Sequence, residues 1–427
     1  MTVERKLGIW LALLALTGCL EQRNYHPNDC KKTECHRSSL YHESGQAPYT
    51  LGYIEMDDQG IFWDRSQFEL IKRHAKQTTR DKDLLIYVYV HGWQHNASYD
   101  DSSVANFKRQ LAKMSQTLDN NRRSLLGIYV GWCGPSVDIP ILKHTTFWDR
   151  KSAVKRVADG SLIELFSYLN DLKNQTITDT KLVILGHSFG GKIVFTALNK
   201  LFSQQLVDSS NMDDATKEIG DLTILINPPL DALKYVNFHN IKDRYNHFLA
   251  IQKPTLAIFT SQNDWATKYA FPIGNILMRN FESNRYIKTK IGKESVLINQ
   301  NIAARMAIGH FKPYISHDLI VSSNTVGMRK SREDISLDAL RQWKRGMRTI
   351  HFSEAELIRR YEDVTRTPYL VVSVEPELIP NHNDFSGREF EGFLHEFIMM
   401  SISSPSIIET SSRISLSSSS VTDSLAD

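Results

Sequence analysis

The chain lacks an excess of charge of either sign: 51 Lys and Arg against 48 Asp and Glu leave a formal +3 over 427 residues. So small an imbalance offers no handle for a polyanion, and no RNA- or DNA-reading motif occurs, so no nucleic-acid partner is expected. Long apolar runs are also missing. The stretch Leu7–Leu16 is too short to cross a bilayer and has the length of a signal-peptide core. Cysteine is scarce, with four residues in all. Cys30-x4-Cys35-His36 has no second pair, so zinc and haem spacings fail. His91 and His95 have the spacing of a helical zinc pair, yet no Glu follows His91 and both lie beyond an apolar run, so the metalloprotease pattern fails too. No metal and no cofactor are implied.

What is present is more informative. Lys181-Leu182-Val183-Ile184-Leu185 ends abruptly in Gly186-His187-Ser188-Phe189-Gly190, and an amphipathic stretch from Lys192 to Leu206 follows at once. Strand, tight turn and helix in that order are what a nucleophile elbow needs. The turn strains the serine backbone, the glycines let strand and helix approach, and Ser188 Oγ stands clear at the end of the strand. Upstream, Leu84-Leu85-Ile86-Tyr87-Val88-Tyr89-Val90 is continuously apolar, as in a parallel strand buried on both faces, and runs straight into His91-Gly92-Trp93.

The ordered set resembles the α/β-hydrolase superfamily, in particular a bacterial esterase- and lipase-like branch. That branch carries His-Gly-Trp-x-x-Asn-Ala (here His91 to Ala97), a strand ending in Gly-Trp (Gly131-Trp132), and an aromatic-Trp-x-Arg-Lys segment (Phe147 to Lys151). The similarity spans residues 50–400. It implies a serine hydrolase whose oxyanion hole is made by the backbone N–H groups of Trp93 and Phe189. It further implies the chain order serine, acid, histidine. Asp264 stands in the loop leaving the apolar run Leu256–Thr260, with Asp231 after the preceding strand as its rival. The final strand Tyr369–Val374 leads into Ile379-Pro380-Asn381-His382, so His382 is the expected base. His310 and His317 are rival histidines, and His187 reads as packing beneath the elbow.

The N-terminus reads as an address. Arg5 and Lys6 precede the apolar stretch, and Leu16-Thr17-Gly18-Cys19 resembles the lipobox of bacterial lipoproteins. This implies lipidation of Cys19 and anchoring in the cell envelope, with Leu20 after the cysteine favouring the outer membrane. Cys30 and Cys35 are candidates for a local disulfide in the oxidising periplasm.

Strand runs at 84–90, 125–131, 181–185, 222–227, 255–260 and 369–374 alternate with helix-period stretches near 102–118, 150–173 and 190–206. That rhythm predicts an α/β fold with a doubly wound, mostly parallel sheet. The expected organisation is a signal peptide at 1–18, a tether at 19–48, hydrolase core at 49–265, and a helical lid or insertion at 266–366. The core resumes at 367–400, and a serine-rich disordered tail occupies 401–427. Ser353-x-x-Glu356 reads as a capping box opening a helix in the insertion. The expected function is an envelope-anchored serine hydrolase acting on an ester or lipid substrate. The alternative is a silent hydrolase-fold lipoprotein that binds an envelope ligand or partner.

Overall fold

Thirteen strands form among the described residues: β1 (Leu40–Glu43), β2 (Tyr49–Met56), β3 (Asp83–Val90), β4 (Arg123–Trp132), β5 (Thr180–His187), β6 (Leu222–Ile226), β7 (Leu256–Ser261), β8 (Tyr286–Ile291), β9 (Glu294–Asn299), β10 (His317–Val321), β11 (Thr349–His351), β12 (Ala355–Arg359) and β13 (Tyr369–Val374). The structure is a computed structural model that describes residues 24–27, 38–132, 152–209, 219–244, 252–278, 284–322, 330–361 and 367–403. Cys19, Cys30, Cys35 and Cys133, the segment 147–151 and the chain beyond Ser403 lie outside the described residues.

Eleven strands make one sheet in the order β1-β2-β4-β3-β5-β6-β7-β13-β10-β12-β11. From β2 to β10 every neighbour is parallel. β1 at one edge and β12 with β11 at the other are antiparallel. The continuous apolar character of β3 now has its reason. Leu84, Ile86, Val88 and Val90 enter one core, while Leu85, Tyr87 and Tyr89 enter the other. β5 does the same with Leu182 and Ile184 against Val183 and Leu185. Period-two alternation therefore feeds two layers of helices.

Helices Arg65–Thr78, Ser161–Gln175, Phe189–Ser209 and Ala232–Arg244 cover the first face. Ser102–Thr117, Arg332–Arg345 and Arg388–Ile402 cover the second. The expected doubly wound, mostly parallel architecture is the one observed. Parallelism also aligns the C-terminal ends of β3, β5, β6, β7 and β13 along one edge of the sheet, where ligand sites of such sheets form.

The stretch 266–366 differs from a helical lid. A π-helical turn (Ala266–Ala270) and the helix Phe271–Met278 lead to the separate hairpin β8–β9 and the short helix Gln300–Arg305. After that, β10, β12 and β11 extend the main sheet. Strands of five, five and three residues at a half-exposed edge carry too little periodicity to be seen beforehand. The capping box at Ser353 is also corrected. Ser353 sits in the turn between β11 and β12, and its N–H and hydroxyl donate to the buried Glu396 at 2.9 and 2.6 Å. Glu356 belongs to β12.

Candidate active site

Ser188 follows β5 and opens the turn into the helix Phe189–Ser209 with φ 52°, in the left-handed region. For a residue with a Cβ this conformation costs about 1–3 kcal/mol, and it persists only where the surroundings over-determine it. Those surroundings are identifiable. A Cβ on Gly190 would lie 2.0 Å from Val90 O, and one on Gly186 would lie 2.7 Å from Gly191 Cα. The helix therefore starts in van der Waals contact with the ends of β3 and β5, a closeness only glycine permits. The Ser188 N–H donates to Ile226 O at 2.9 Å, tying the elbow to β6.

His382 stands over the serine, with Nε2 2.7 Å from Ser188 Oγ and Nδ1 2.9 Å from both Asp264 oxygens. Asp264 is fully buried. An ionised carboxylate only accepts, so Nδ1 carries the ring hydrogen, and Nε2 of the neutral ring is left as the acceptor for the serine hydroxyl. Asp264 also accepts from the N–H groups of Ala266 (2.9 Å) and Thr267 (3.2 Å), and from the Thr267 hydroxyl. Burial pushes its carboxyl pKa up. The bonds from His382 and Thr267 outweigh that and hold it below the ordinary value. The π-helical turn 266–270 thus begins as an N-terminal donor cluster around the acid.

The loop carrying His382 is held by its carbonyls, one donor set after another. Ser261 Oγ donates to Ile379 O at 2.6 Å and Asn263 Nδ2 to Pro380 O at 2.9 Å. Asn227 Nδ2 donates to Asn381 O at 3.4 Å and to His382 O at 2.9 Å. His187 Nε2 donates to His382 O as well, at 2.9 Å. Asn227 is fully buried at the end of β6 with φ 48°, and its Oδ1 accepts from Ser261 N at 2.9 Å. It ties β6, β7 and the histidine loop together. Sequence reasoning missed it, and the available signal was an asparagine closing an apolar run just before Pro228-Pro229.

His187 was expected beneath the elbow; it is buried against the His382 loop, its ring 4.6 Å from that of Phe385. Burial above all pushes the His187 pKa down to about 3, so the ring stays neutral and donates. Of the rivals, Asp231 accepts from Lys234 N at 3.2 Å at the start of the helix Ala232–Arg244. His310 reaches Thr267 Oγ1 at 3.0 Å, behind the acid and away from the serine. His317 opens β10 and bonds Ser316 Oγ at 2.8 Å. His91 has both ring nitrogens engaged: Nδ1 donates to Gly92 O at 2.7 Å, and Nε2 accepts from Trp132 N at 3.0 Å. This bridge between β3 and β4 fixes the turn that carries Trp93.

A Cβ on Gly92 would lie 3.0 Å from Ser188 Cβ, so the peptide leading to Trp93 passes directly beside the serine. Phe189 is the first residue of its helix and directly follows Ser188. The two expected oxyanion donors therefore belong to segments flanking Ser188 on either side. Chemically, the arrangement can deprotonate a serine hydroxyl and receive a developing negative charge.

A family model described as an alpha/beta hydrolase of unknown function (DUF900) matches residues 66–325. The match includes Trp93, Ser188, Phe189 and Asp264, and His382 lies beyond it. No curated protein matches the chain.

Proposed function

Since the chain belongs to the alpha/beta hydrolase family DUF900, we propose that it is a serine hydrolase that cleaves carboxylic esters through an acyl-enzyme on Ser188. One observation carries the reading: the 2.7 Å contact of His382 Nε2 with Ser188 Oγ, continued at 2.9 Å from Nδ1 to a buried Asp264.

In the forward step His382 Nε2 takes the hydroxyl proton as Ser188 Oγ bonds to the ester carbonyl carbon. The carbonyl oxygen becomes the oxyanion and is met by the Trp93 and Phe189 N–H groups, each such donor being worth on the order of 10²–10³ in kcat. Collapse expels the alkoxide, which takes the proton back from Nε2 and leaves as the alcohol. Water then repeats the sequence on the acyl-serine, and the acid leaves with Ser188 restored. Asp264 holds the Nδ1–H tautomer throughout and stabilises the imidazolium that forms. Its depressed pKa keeps it ionised for that task. Lipidation of Cys19 would hold this machinery at the cell envelope, facing the periplasm.

Labelling with a fluorophosphonate tests the proposal. Wild-type protein should be labelled at Ser188 and should hydrolyse an activated p-nitrophenyl ester. Ser188→Ala should lose both while remaining folded by circular dichroism. Full turnover by Ser188→Ala would remove the serine mechanism.

A further inference from the structure

The helical segment that begins one residue after Asp264 carries an apolar stripe that no part of the described fold covers. Trp265, Tyr269, Ile273 and Ile276 recur at intervals of four, four and three residues and are between 42% and 61% exposed. The opposite side of the same segment is buried, with Thr267, Phe271 and Asn275 turned into the protein. A surface helix ordinarily presents its polar side to water, whereas this one, besides burying Phe271, leaves four large apolar side chains outside.

Elements bonded to this segment carry exposed apolar side chains of their own. Asn275 Nδ2 donates to Ala304 O and Arg305 O of the helix Gln300–Arg305, where Ile302 is again exposed. That helix is joined to the hairpin β8–β9 by Gln300 N donating to Arg285 O at 2.9 Å. Alternation along β8 turns Ile287, Thr289 and Ile291 inward and leaves Tyr286, Lys288 and Lys290 outside. The register sets Lys288 opposite Leu297. The outer face of the hairpin therefore shows Tyr286 and Leu297, 66% and 64% exposed, interleaved with two lysines. Arg285 and Lys293 are also exposed, against a single exposed acid on the hairpin, Glu294.

Exposed aromatic and branched side chains bordered by cations match an anionic lipid surface: apolar groups enter the headgroup boundary and lysines stay with the phosphates. We propose that the Trp265–Ile276 stripe and the outer face of β8–β9 are the surface by which this protein lies on an anionic lipid layer. Because Trp265 adjoins Asp264, the layer would lie beside the Ser188 site. Resting on the hydrolase reading above, this names esters held in a lipid layer as the substrate class.

The test uses the full chain and Trp265 as its own reporter. Emission of Trp265→Phe is subtracted from that of wild type, in phosphatidylglycerol vesicles with plain or dibrominated acyl chains. Entry of Trp265 into the headgroup–acyl boundary should quench the difference signal about twofold or more. Quenching should be lost in Tyr269→Ser/Ile273→Ser. It should weaken in Lys288→Glu/Lys290→Glu, and in wild type when phosphatidylcholine replaces the anionic lipid. Folding of each variant is checked by circular dichroism. A difference signal identical in plain and brominated vesicles overturns the proposal. So does a signal that responds to protein concentration and not to lipid, which would make the stripe a contact between two copies. Quenching is read without turnover, so a wild type that is quenched but never labelled by fluorophosphonate would sink the hydrolase reading and leave the lipid surface standing.

Discussion

The side-chain amide of Asn227 donates to the main-chain carbonyl of His382 at 2.9 Å, and the Asn227 carbonyl oxygen accepts from Ser261 N at the same distance. One buried residue thus joins the His382 loop to both β6 and β7. Asn227 also occupies φ 48°, a region asparagine tolerates better than most residues. Substitution by glycine keeps the backbone conformation available and removes only the amide. Asn227→Gly should lower kcat roughly ten- to a hundredfold, the cost of a small misplacement of a catalytic group, with KM little changed. Steady-state kinetics on one soluble ester checks this, and a rise in KM at constant kcat would contradict it.

His310 lies in the same hydrogen-bonded chain as the proposed base, two bonds behind Asp264, from which Thr267 separates it. His382→Ala should therefore be as damaging as Ser188→Ala, on the order of 10⁶ in kcat, because members of a catalytic unit fail together. His310→Ala removes a donor to a hydroxyl and should cost only a few-fold. Activity surviving in His382→Ala and absent in His310→Ala would reverse the assignment of the base.

Segments buried on both faces were legible because most of their residues are apolar on both faces: β3, β5, β7 and β13 announce themselves by composition, and the glycines of the elbow by their spacing. β2 was not, since it carries Glu55. That carboxylate is buried and accepts from Tyr25 N at 2.9 Å, His26 N at 3.0 Å and Gln67 Nε2 at 3.0 Å. A buried, fully bonded acid looks like surface in a sequence. Ser353 misled for a related reason, because its partner Glu396 is 43 residues away. Local chemistry suggested a cap, and a distant acceptor took the hydroxyl instead. The contacts that steady His382 are main-chain carbonyls, which leave no trace in side-chain identity at 379–382.

The lipobox reading makes its own prediction. Cys19→Ser removes the thiol that a diacylglyceryl group would be attached to, so incorporation of an alkyne fatty acid into the protein should disappear, and the precursor should persist on gels. Equal labelling of wild type and variant would dismiss lipidation at this residue.

Acid should destabilise the fold well before its carboxylates titrate. Burial holds His91 down to about 4, and His187, His239 and His317 down to about 3. Between those values and about 6.5, the ordinary histidine pKa, the unfolded chain binds protons that the folded chain refuses. Unfolding free energy therefore rises with pH across this window, so stability is lost as pH falls through it, while above about 6.5 and below the folded-state values these groups contribute no slope. His239 donates Nε2–H to Lys290 O at 2.7 Å. His239→Gln keeps a donor without a titrating group and should flatten the dependence by close to one proton. Urea unfolding at several pH values from neutrality down measures both effects, and a stability unchanged across the window would contradict the burial of these rings as neutral groups.

Gly190 is where the elbow and the turn after β3 are most tightly fitted. A methyl group there would stand 2.0 Å from Val90 O and 2.5 Å from His91 O. Neither oxygen can retreat easily. Val90 is the last residue of β3 and pairs with both Val130 and Gly186 in the sheet. His91 O accepts from Trp132 Nε1 at 2.9 Å. Relief must come from lifting the helix start or from pushing the His91–Trp93 turn outward, and either movement separates Ser188 from Trp93 N–H. Overpacking of this kind costs typically about 1–3 kcal/mol and more against backbone. Gly190→Ala should therefore lower the melting temperature by several degrees. It should also reduce kcat by roughly 10² or more in whatever protein remains folded, the worth of one oxyanion donor. A Gly190→Ala variant with wild-type stability and wild-type turnover would show that the helix start is not seated against β3 as described, and the contact of the two proposed oxyanion segments with Ser188 would fall with it.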